Sequence, residues 1–493
     1  MHRDQPAPPS RSPIAHTRNG QGRRHDLVAH LRGVAELAAR FATDLGAERL
    51  GRYLGLWHDL GKFHSAFQAY LLACEADPKA RGHGPDHKAA GAVLAQRHAG
   101  LAALLVQGHH GGLQTPTSLE AWLEERGRDP AVQEALQRAR AAIPDLEPAD
   151  PLPIPPHATT GPHAAELFLR LLFSALVDAD YLDTEVHFRA EHAIARGTAI
   201  PVAELWERFQ RDQARLETEV RRAGRQEEPV IQARDAIYRA CLEAAEQPPG
   251  LFRLTAPTGG GKTRAAMAFA LRHALRHGHH RIVVAVPFIS ITEQTADVYR
   301  RIFEADGGPP VVLEHHSAAE LEDPHGEDFR RREVWARLAA ENWDTPIVVT
   351  TTVQLFESLF AARPGRCRKL HRLARSVIVL DEAQALPSHL LDPILDALRE
   401  LTAHYGVTAV LSTATQPAFE AIPAFRNLRA TEIVPEPARF FRSLARVEYQ
   451  WHAGPPLAWA EVADLLRGEP QALAVVNTKR DALALLDALD DPE

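Results

Sequence analysis

The chain of 493 residues has three cysteines, Cys74, Cys241 and Cys367, too few and too far apart for a disulfide framework or a paired-cysteine zinc site. They fit a reducing, cytoplasmic setting. An excess of positive charge is also missing: 56 Lys and Arg against 64 Asp and Glu give a net charge of -8. That excludes an all-over basic coat and confines any nucleic-acid contact to a local groove. Lysine is the scarcest of the charged residues, with six against fifty arginines, so each lysine stands out; Lys62 and Lys262 both fall inside motifs. No uninterrupted apolar run has the length of a membrane span, and residues 1–22, rich in Pro, Ser and Arg, lack an apolar signal segment and read as a disordered tail.

What is present is the composition of an ordinary globular protein, 45% hydrophobic and 24% charged, at a length that calls for two or three domains. Helical periodicity, as in Leu27, Leu31, Val34, Leu37, Ala38 and Phe41, runs through residues 23–227 and predicts an all-α domain with a Pro-rich surface loop over 144–162. From 228 to 445 the pattern changes to short β-branched runs followed by helices: Leu251–Ala256, Ile282–Val286, Ile347–Thr350, Val377–Leu380 and Thr408–Ser412. This alternation predicts a parallel α/β sheet. Residues 446–493 begin the pattern again, with a strand at Ala472–Val476 and a helix at Arg480–Leu489, and read as an incomplete further domain.

In the helical half, His58 and Asp59 stand in Trp57-His58-Asp59-Leu60-Gly61-Lys62, where both can aim at one point because Gly61 frees the following backbone. Alone the pair is a weak signal among 26 histidines. Its companions strengthen it: His30 on the helix before, His87 opening the helix after, His109 and His110 ending an apolar helix, and Asp180 closing a long one. A core histidine bonded to a carbonyl explains any one of these and not the set. Mixed imidazole and carboxylate donors suit Mn, Ni, Co, Fe or Zn better than Mg or Ca. Six or seven donors exceed one tetrahedral ion, so two divalent transition-metal ions bridged by Asp59 are expected, generating hydroxide and clamping a scissile phosphate for in-line attack. Lys62, one turn on, is placed to offset charge on the phosphorus, or else is a solvated surface lysine. His83 stands as an alternative to His87, and Asp178 to Asp180.

In the second half, Ala256-Pro257-Thr258-Gly259-Gly260-Gly261-Lys262-Thr263 follows a predicted strand and opens a predicted helix, the context of a phosphate-binding loop. The glycines turn backbone N–H groups toward phosphates, Lys262 reaches the β/γ oxygens and Thr263 the Mg²⁺ of Mg-ATP. The strand Val377–Leu380 ends in Asp381-Glu382-Ala383-Gln384, where Asp381 would hold Mg²⁺ and Glu382 would orient the attacking water. Ser412-Thr413-Ala414-Thr415, with Gln384, would couple hydrolysis to movement, and Gln232 either reads adenine or faces solvent.

Together these motifs resemble the HD-type phosphohydrolase family, and specifically the nuclease domain of the CRISPR-associated helicase-nucleases of type I interference systems. The resemblance rests on His30-Leu31-Arg32-Gly33-Val34-Ala35, the run His58 to Lys62, His87-Lys88-Ala89-Ala90-Gly91, Gly108-His109-His110-Gly111-Gly112-Leu113, and Asp178-Ala179-Asp180. Val286–Gln294 and Thr350–Phe360 are similar to the DNA-contacting segments of that family's helicase part. The resemblance implies an HD-type nuclease domain, a RecA-like P-loop domain and a partial second RecA-like domain. It further implies metal-dependent cutting of single-stranded DNA, ATP-driven 3′ to 5′ translocation, and recruitment by an RNA-guided multisubunit surveillance complex. The family's second motor domain carries an arginine finger, so this chain, apparently truncated, is expected to turn over little ATP by itself. A nucleotide phosphohydrolase with a regulatory P-loop domain, and a non-catalytic DNA-binding remnant, are the alternative readings.

Overall fold

A computed structural model describes residues 12–489 except 81, 83, 197–199, 306, 318–326, 423, 424 and 427. His83, the alternative to His87, lies outside the described residues. The chain opens on a short antiparallel pair, β1 (Ile14–His16) and β2 (His25–Asp26). The expected disordered tail is therefore corrected for residues 12–22: Ile14 and Ala15 are buried, and Ile14 N donates to Gln68 Oε1 at 2.8 Å. Short polar spacing hid a strand too brief to show period-two alternation.

The helical half comprises α1 (Leu27–Ala42), α2 (Glu48–Trp57), α3 (Ser65–Ala76), α4 (Ala89–Ala99), α5 (Ala103–Gly108), α6 (Pro116–Arg126), α7 (Pro130–Ala142) and the long α8 (Pro162–Phe188). Helix α1 starts where Asp26 caps Ala29 N, and buries Leu27, Leu31, Val34, Ala35 and Ala38 as one stripe. Against that stripe α2 packs closely because Gly55 has no side chain: a Cβ there would lie 2.5 Å from Ala35 Cα. Stretch Ala89–Gly108 does have the length and mean hydropathy, 1.3, of a membrane span, contrary to expectation. It is two helices broken at Gly100 (φ 54°) and is 67% buried within the protein, which accounts for its apolar character as core.

Two helices, α9 (Ala190–Ala195) and α10 (Val202–Arg222), lead to α11 (Pro229–Ala244) and a seven-stranded parallel sheet. Its strands are β3 (Leu251–Thr255), β4 (Arg281–Val286), β5 (Val312–His315), β6 (Ile347–Thr351), β7 (Ser376–Asp381), β8 (Thr408–Thr413) and β9 (Thr431–Glu432), in the order β5-β6-β4-β7-β8-β3-β9. The two edge strands β5 and β9 are the ones periodicity does not show. The intervening helices are α12 (Lys262–His277), α13 (Ile289–Phe303), α14 (Glu327–Asn342), α15 (Thr352–Leu359), α16 (Pro364–Cys367) and α17 (Leu391–His404), with α18 (Ala438–Ser443) after β9.

Residues 445–493 form a separate compact unit whose described helices are α19 (Trp459–Arg467) and α20 (Lys479–Leu489). The strand expected at Ala472–Val476 is not formed, and Leu473 and Val475 are each 88% exposed. A strand exists by pairing its backbone with a neighbour, and no neighbouring strand is described in this unit.

Candidate metal centre and nucleotide site

Five helices and two glycine contacts converge on Asp59. Gly91 admits the end of α2, since a Cβ there would overlap Trp57 O, and Gly61 lies so close to His87 that its N donates to His87 O at 2.9 Å. Gly61 thus serves close approach rather than the backbone freedom expected of it: a Cβ would sit 2.4 Å from His87 Cα.

Asp59 is buried, and each of its oxygens faces two imidazoles. His30 Nε2 and His58 Nε2 lie 3.6 and 3.4 Å from Oδ2, while His87 Nε2 and His109 Nε2 lie 3.7 and 3.4 Å from Oδ1. Asp180 adds its Oδ1 3.6 Å from both His30 Nε2 and His58 Nε2. His110 is exposed but lies against His109, tilted, at 4.0 Å between ring centroids, and closes the group Asp59, His87, His109 and His110. Asp180 sits inside α8 rather than at its end, with Asp178 turned the other way, bonded to Arg368 Nε (2.9 Å) and Asn342 Nδ2 (3.1 Å). The geometry therefore puts Asp180, and not Asp178, at the cluster.

The outer nitrogens are already committed. His58 Nδ1 donates to Gly55 O at 2.8 Å and His109 Nδ1 to Val106 O at 2.7 Å, while His30 Nδ1 donates to Asp183 Oδ2 at 2.7 Å. With the proton so placed on Nδ1, the neutral ring presents its Nε2 lone pair inward. The Nε2 atoms of His30, His58, His87 and His109 and Oδ1 of Asp59 are buried without a hydrogen bond, while Oδ2 meets the Lys62 ammonium. Buried polar groups are rarely left so, and donors each ~2.1 Å from a shared ion would stand about 3–3.5 Å apart, a little closer than the 3.4–3.7 Å found here. The electrostatics agree. Burial opposes ionisation of Asp59, yet Lys62 and His58 hold its carboxyl well below the usual range. Burial likewise opposes a charged His58, yet Asp59 and Asp180 raise it to about 10. At His87 burial wins and lowers the ring to about 4, leaving it a neutral donor. The centre thus favours added positive charge. Lys62 is not a solvated lysine: it is 6% exposed, its Nζ 2.7 Å from Asp59 Oδ2 and 3.2 Å from Ala15 O.

At the carboxyl edge of the sheet, Gly259 (φ 83°) and Gly261 (φ 80°) take left-handed conformations that wrap the loop before α12. Lys262 is buried in the loop with Nζ donating to Ala256 O at 3.1 Å. Parallel register sets Ser412 beside both Leu254 and Asp381, so the loop, the acidic strand end and the coupling segment share one edge. Ser412 Oγ donates to Asp381 Oδ1 at 2.8 Å, Thr413 Oγ1 to Gln384 Oε1, and Gln384 Nε2 to Glu382 Oε2 at 2.7 Å. Burial, with Glu382 nearby, raises Asp381 despite the Ser412 bond. Gln232 is exposed and donates to Glu227 Oε2 at 3.0 Å, so it is not brought to the phosphate loop; Arg234, whose Nε donates to Gly259 O at 3.0 Å, is. Thr258, Gly260 and Thr263 lie in the same turn and first helical residues.

Residues 15–180 match the family described as Cas3, HD domain, and residues 229–422 match the DEAD/DEAH box helicase family. The chain joins a Cas3-type HD domain to a DEAD/DEAH box helicase domain. A "CRISPR-associated nuclease/helicase Cas3" of Haloferax volcanii is 36% identical over 199 residues, which is 38% of this chain and 21% of that protein. The "CRISPR-associated endonuclease/helicase Cas3" of Escherichia coli K12 is 24% identical over 193 residues, 36% of this chain and 21% of that one. In fold, the chain superposes on T. fusca Cas3 with AMPPNP at a TM-score of 0.54 and 20% identity, covering 90% of this chain and 53% of that one. These alignments thus span about a fifth of the curated relatives and about half of the solved structure.

Within this Cas3-type HD domain the sequence reading missed His16, His25 and Asp183. His16 packs edge-on against His30 at 5.0 Å and its Nδ1 is 3.2 Å from His25 Nδ1. The local signal that could have found them is the density of histidine and aspartate around His30 and Asp180. The separation of Asp183 from His30 along the chain, 153 residues, made the pairing invisible.

Proposed function

We propose that the chain is a metal-dependent nuclease of single-stranded DNA coupled to ATP-driven 3′ to 5′ translocation, acting in type I CRISPR interference alongside an RNA-guided multisubunit surveillance complex in a prokaryotic cytoplasm. The observation that carries the nuclease reading is Asp59, with the buried Nε2 atoms of two imidazoles facing each oxygen. His30, His58 and Asp180 would hold one ion and His87, His109 and His110 the other, with Asp59 between. Two Mn, Ni, Co or Fe ions so bound supply a hydroxide near neutral pH and a clamp on the scissile phosphate. Lys62, beside Asp59, would hold positive charge where the phosphate gains negative charge. In the motor, Lys262, Thr263 and Asp381 would hold Mg-ATP and Glu382 would orient water. We assign residues 23–227 to the nuclease domain, 228–445 to the first RecA-like domain and 446–493 to a partial second. ATP turnover by this polypeptide alone is proposed to be slow, supported by the two helices and unformed strand after Ala445.

The test is circular single-stranded DNA incubated with the purified chain and Mn²⁺, Ni²⁺ or EDTA. Cutting with metal, none with EDTA, and a loss of about 100-fold or more in Asp59→Ala is expected, since removing a direct ligand should cost more than the roughly 10- to 100-fold of removing an outer partner. Cutting that survives Asp59→Ala overturns the metal reading.

A further inference from the structure

Asp183 lies one turn beyond Asp180 on α8, outside the cluster of inward-facing donors, and three observations mark it as more than a surface carboxylate. Its Oδ2 accepts from His30 Nδ1 at 2.7 Å, the shortest contact that ring makes. The same oxygen lies 3.5 Å from His25 Nε2, and His25 is held from behind by parallel stacking on His187, 4.7 Å between centroids. Finally, α1 is cut away to admit it: a Cβ at Gly33, one turn after His30, would lie 2.3 Å from Asp183 Oδ1. A mid-helix glycine costs stability and is kept where space is needed.

We infer that Asp183 is a positioning residue for the metal centre, with Gly33 as the notch that lets it work. A carboxylate only accepts, so it holds the His30 proton on Nδ1 and leaves Nε2 a lone pair aimed at Asp59 and Asp180. An amide in its place can present N–H to Nδ1, which drives the proton to Nε2 and points a donor at the ion site. The inference rests on the metal reading above.

The experiment titrates Mn²⁺ into the full chain and its variants and reads free Mn²⁺ by electron paramagnetic resonance, with no DNA present. Asp183→Asn is expected to weaken the tighter or looser of two Mn²⁺ sites by roughly 10- to 100-fold, the usual effect of removing an outer partner of a histidine ligand. Gly33→Ala is expected to weaken the same site, because its methyl displaces the carboxylate. Its metal-free melting temperature should fall only modestly, since alanine's helix preference offsets part of the lost His30 hydrogen bond. A merely structural role predicts the lower melting with metal binding kept. The double variant should weaken binding no further than Asp183→Asn alone, as for two changes acting through one contact. Parent-like Mn²⁺ binding by Asp183→Asn overturns this inference and leaves the metal reading standing. No Mn²⁺ bound by the parent chain overturns both.

Discussion

Arg368→Met tests whether the helical half and the sheet are locked by one buried ion pair. Arg368 Nε is 2.9 Å from Asp178 Oδ1, and the side chains are 6% and 0% exposed. Arg368 also reaches Glu341 Oε2 at 2.9 Å and lies over the Tyr181 ring at 4.6 Å, so methionine keeps much of the apolar contact and removes only charge. What remains for Asp178 is the Asn342 bond at 3.1 Å and the His371 Nε2 at 3.8 Å. Stranding a buried charge costs about 3–5 kcal/mol; the retained bond and the option of protonation place this case near about 3 kcal/mol. The pH dependence has a definite sign. Burial already raises Asp178 above the ordinary carboxylate value, against the pull of Arg368 and Arg372. A group whose folded value is raised binds more protons folded than unfolded, so its contribution to stability falls as pH rises through the window above ~4. Without Arg368 the folded value rises further. The variant's deficit should therefore be largest near pH 7.5 and shrink toward pH 5, as Asp178 takes up a proton and becomes neutral. Urea unfolding of parent and variant at the two pH values measures this. A deficit below about 1 kcal/mol, or one that grows on acidification, refutes the reasoning.

Two further outcomes concern the nucleotide site. Lys262→Ala should abolish detectable ATP binding by fluorescence-analogue titration while leaving Mn²⁺ binding at the proposed metal centre intact, because its ammonium is the charge proposed to meet the phosphates. Gln232→Ala should change nucleotide affinity by less than about two-fold, since an exposed side chain tied to Glu227 contributes little beyond a surface hydrogen bond; a ten-fold loss would reinstate it as the adenine reader.

The readable parts of this chain were those in which a local pattern carries the physics. The stripe of Leu27, Leu31 and Val34 announces α1, and the phosphate loop is contiguous, so its glycines and Lys262 needed no tertiary knowledge. The residues proposed as metal donors were legible as a group because each interrupts an apolar face: His30, His58, Asp59 and His109 are all buried. Less legible was whatever depends on a partner distant in sequence. Strand β5 has two buried residues and β9 none, because edge strands borrow their order from β6 and β3. Asp178 and Asp180 were not separable by composition, for both are buried acids on one helix; partners distant in sequence distinguish them, Arg368 and Asn342 for the first, His30 and His58 for the second. The spacing of Gly61 from His87 is the same kind of fact, a close approach that no window of sequence displays.

That pair of aspartates has a mechanical consequence. Two residues along a helix turn it by roughly 200°, so Asp178 and Asp180 leave α8 on opposite faces. One face is pinned to the sheet through Arg368, which lies just ahead of β7, the strand that ends in Asp381. The other is committed to His30 and His58. A second tie runs alongside, where Leu113 N, just past His109 and His110, donates to Ala362 O at 2.9 Å in the loop after α15. Rotation of α8 that relaxed the Asp178 contact would carry Asp180 away from both imidazoles. Asp180 at the proposed metal cluster and Asp178 beside the sheet are therefore carried by one helix, α8.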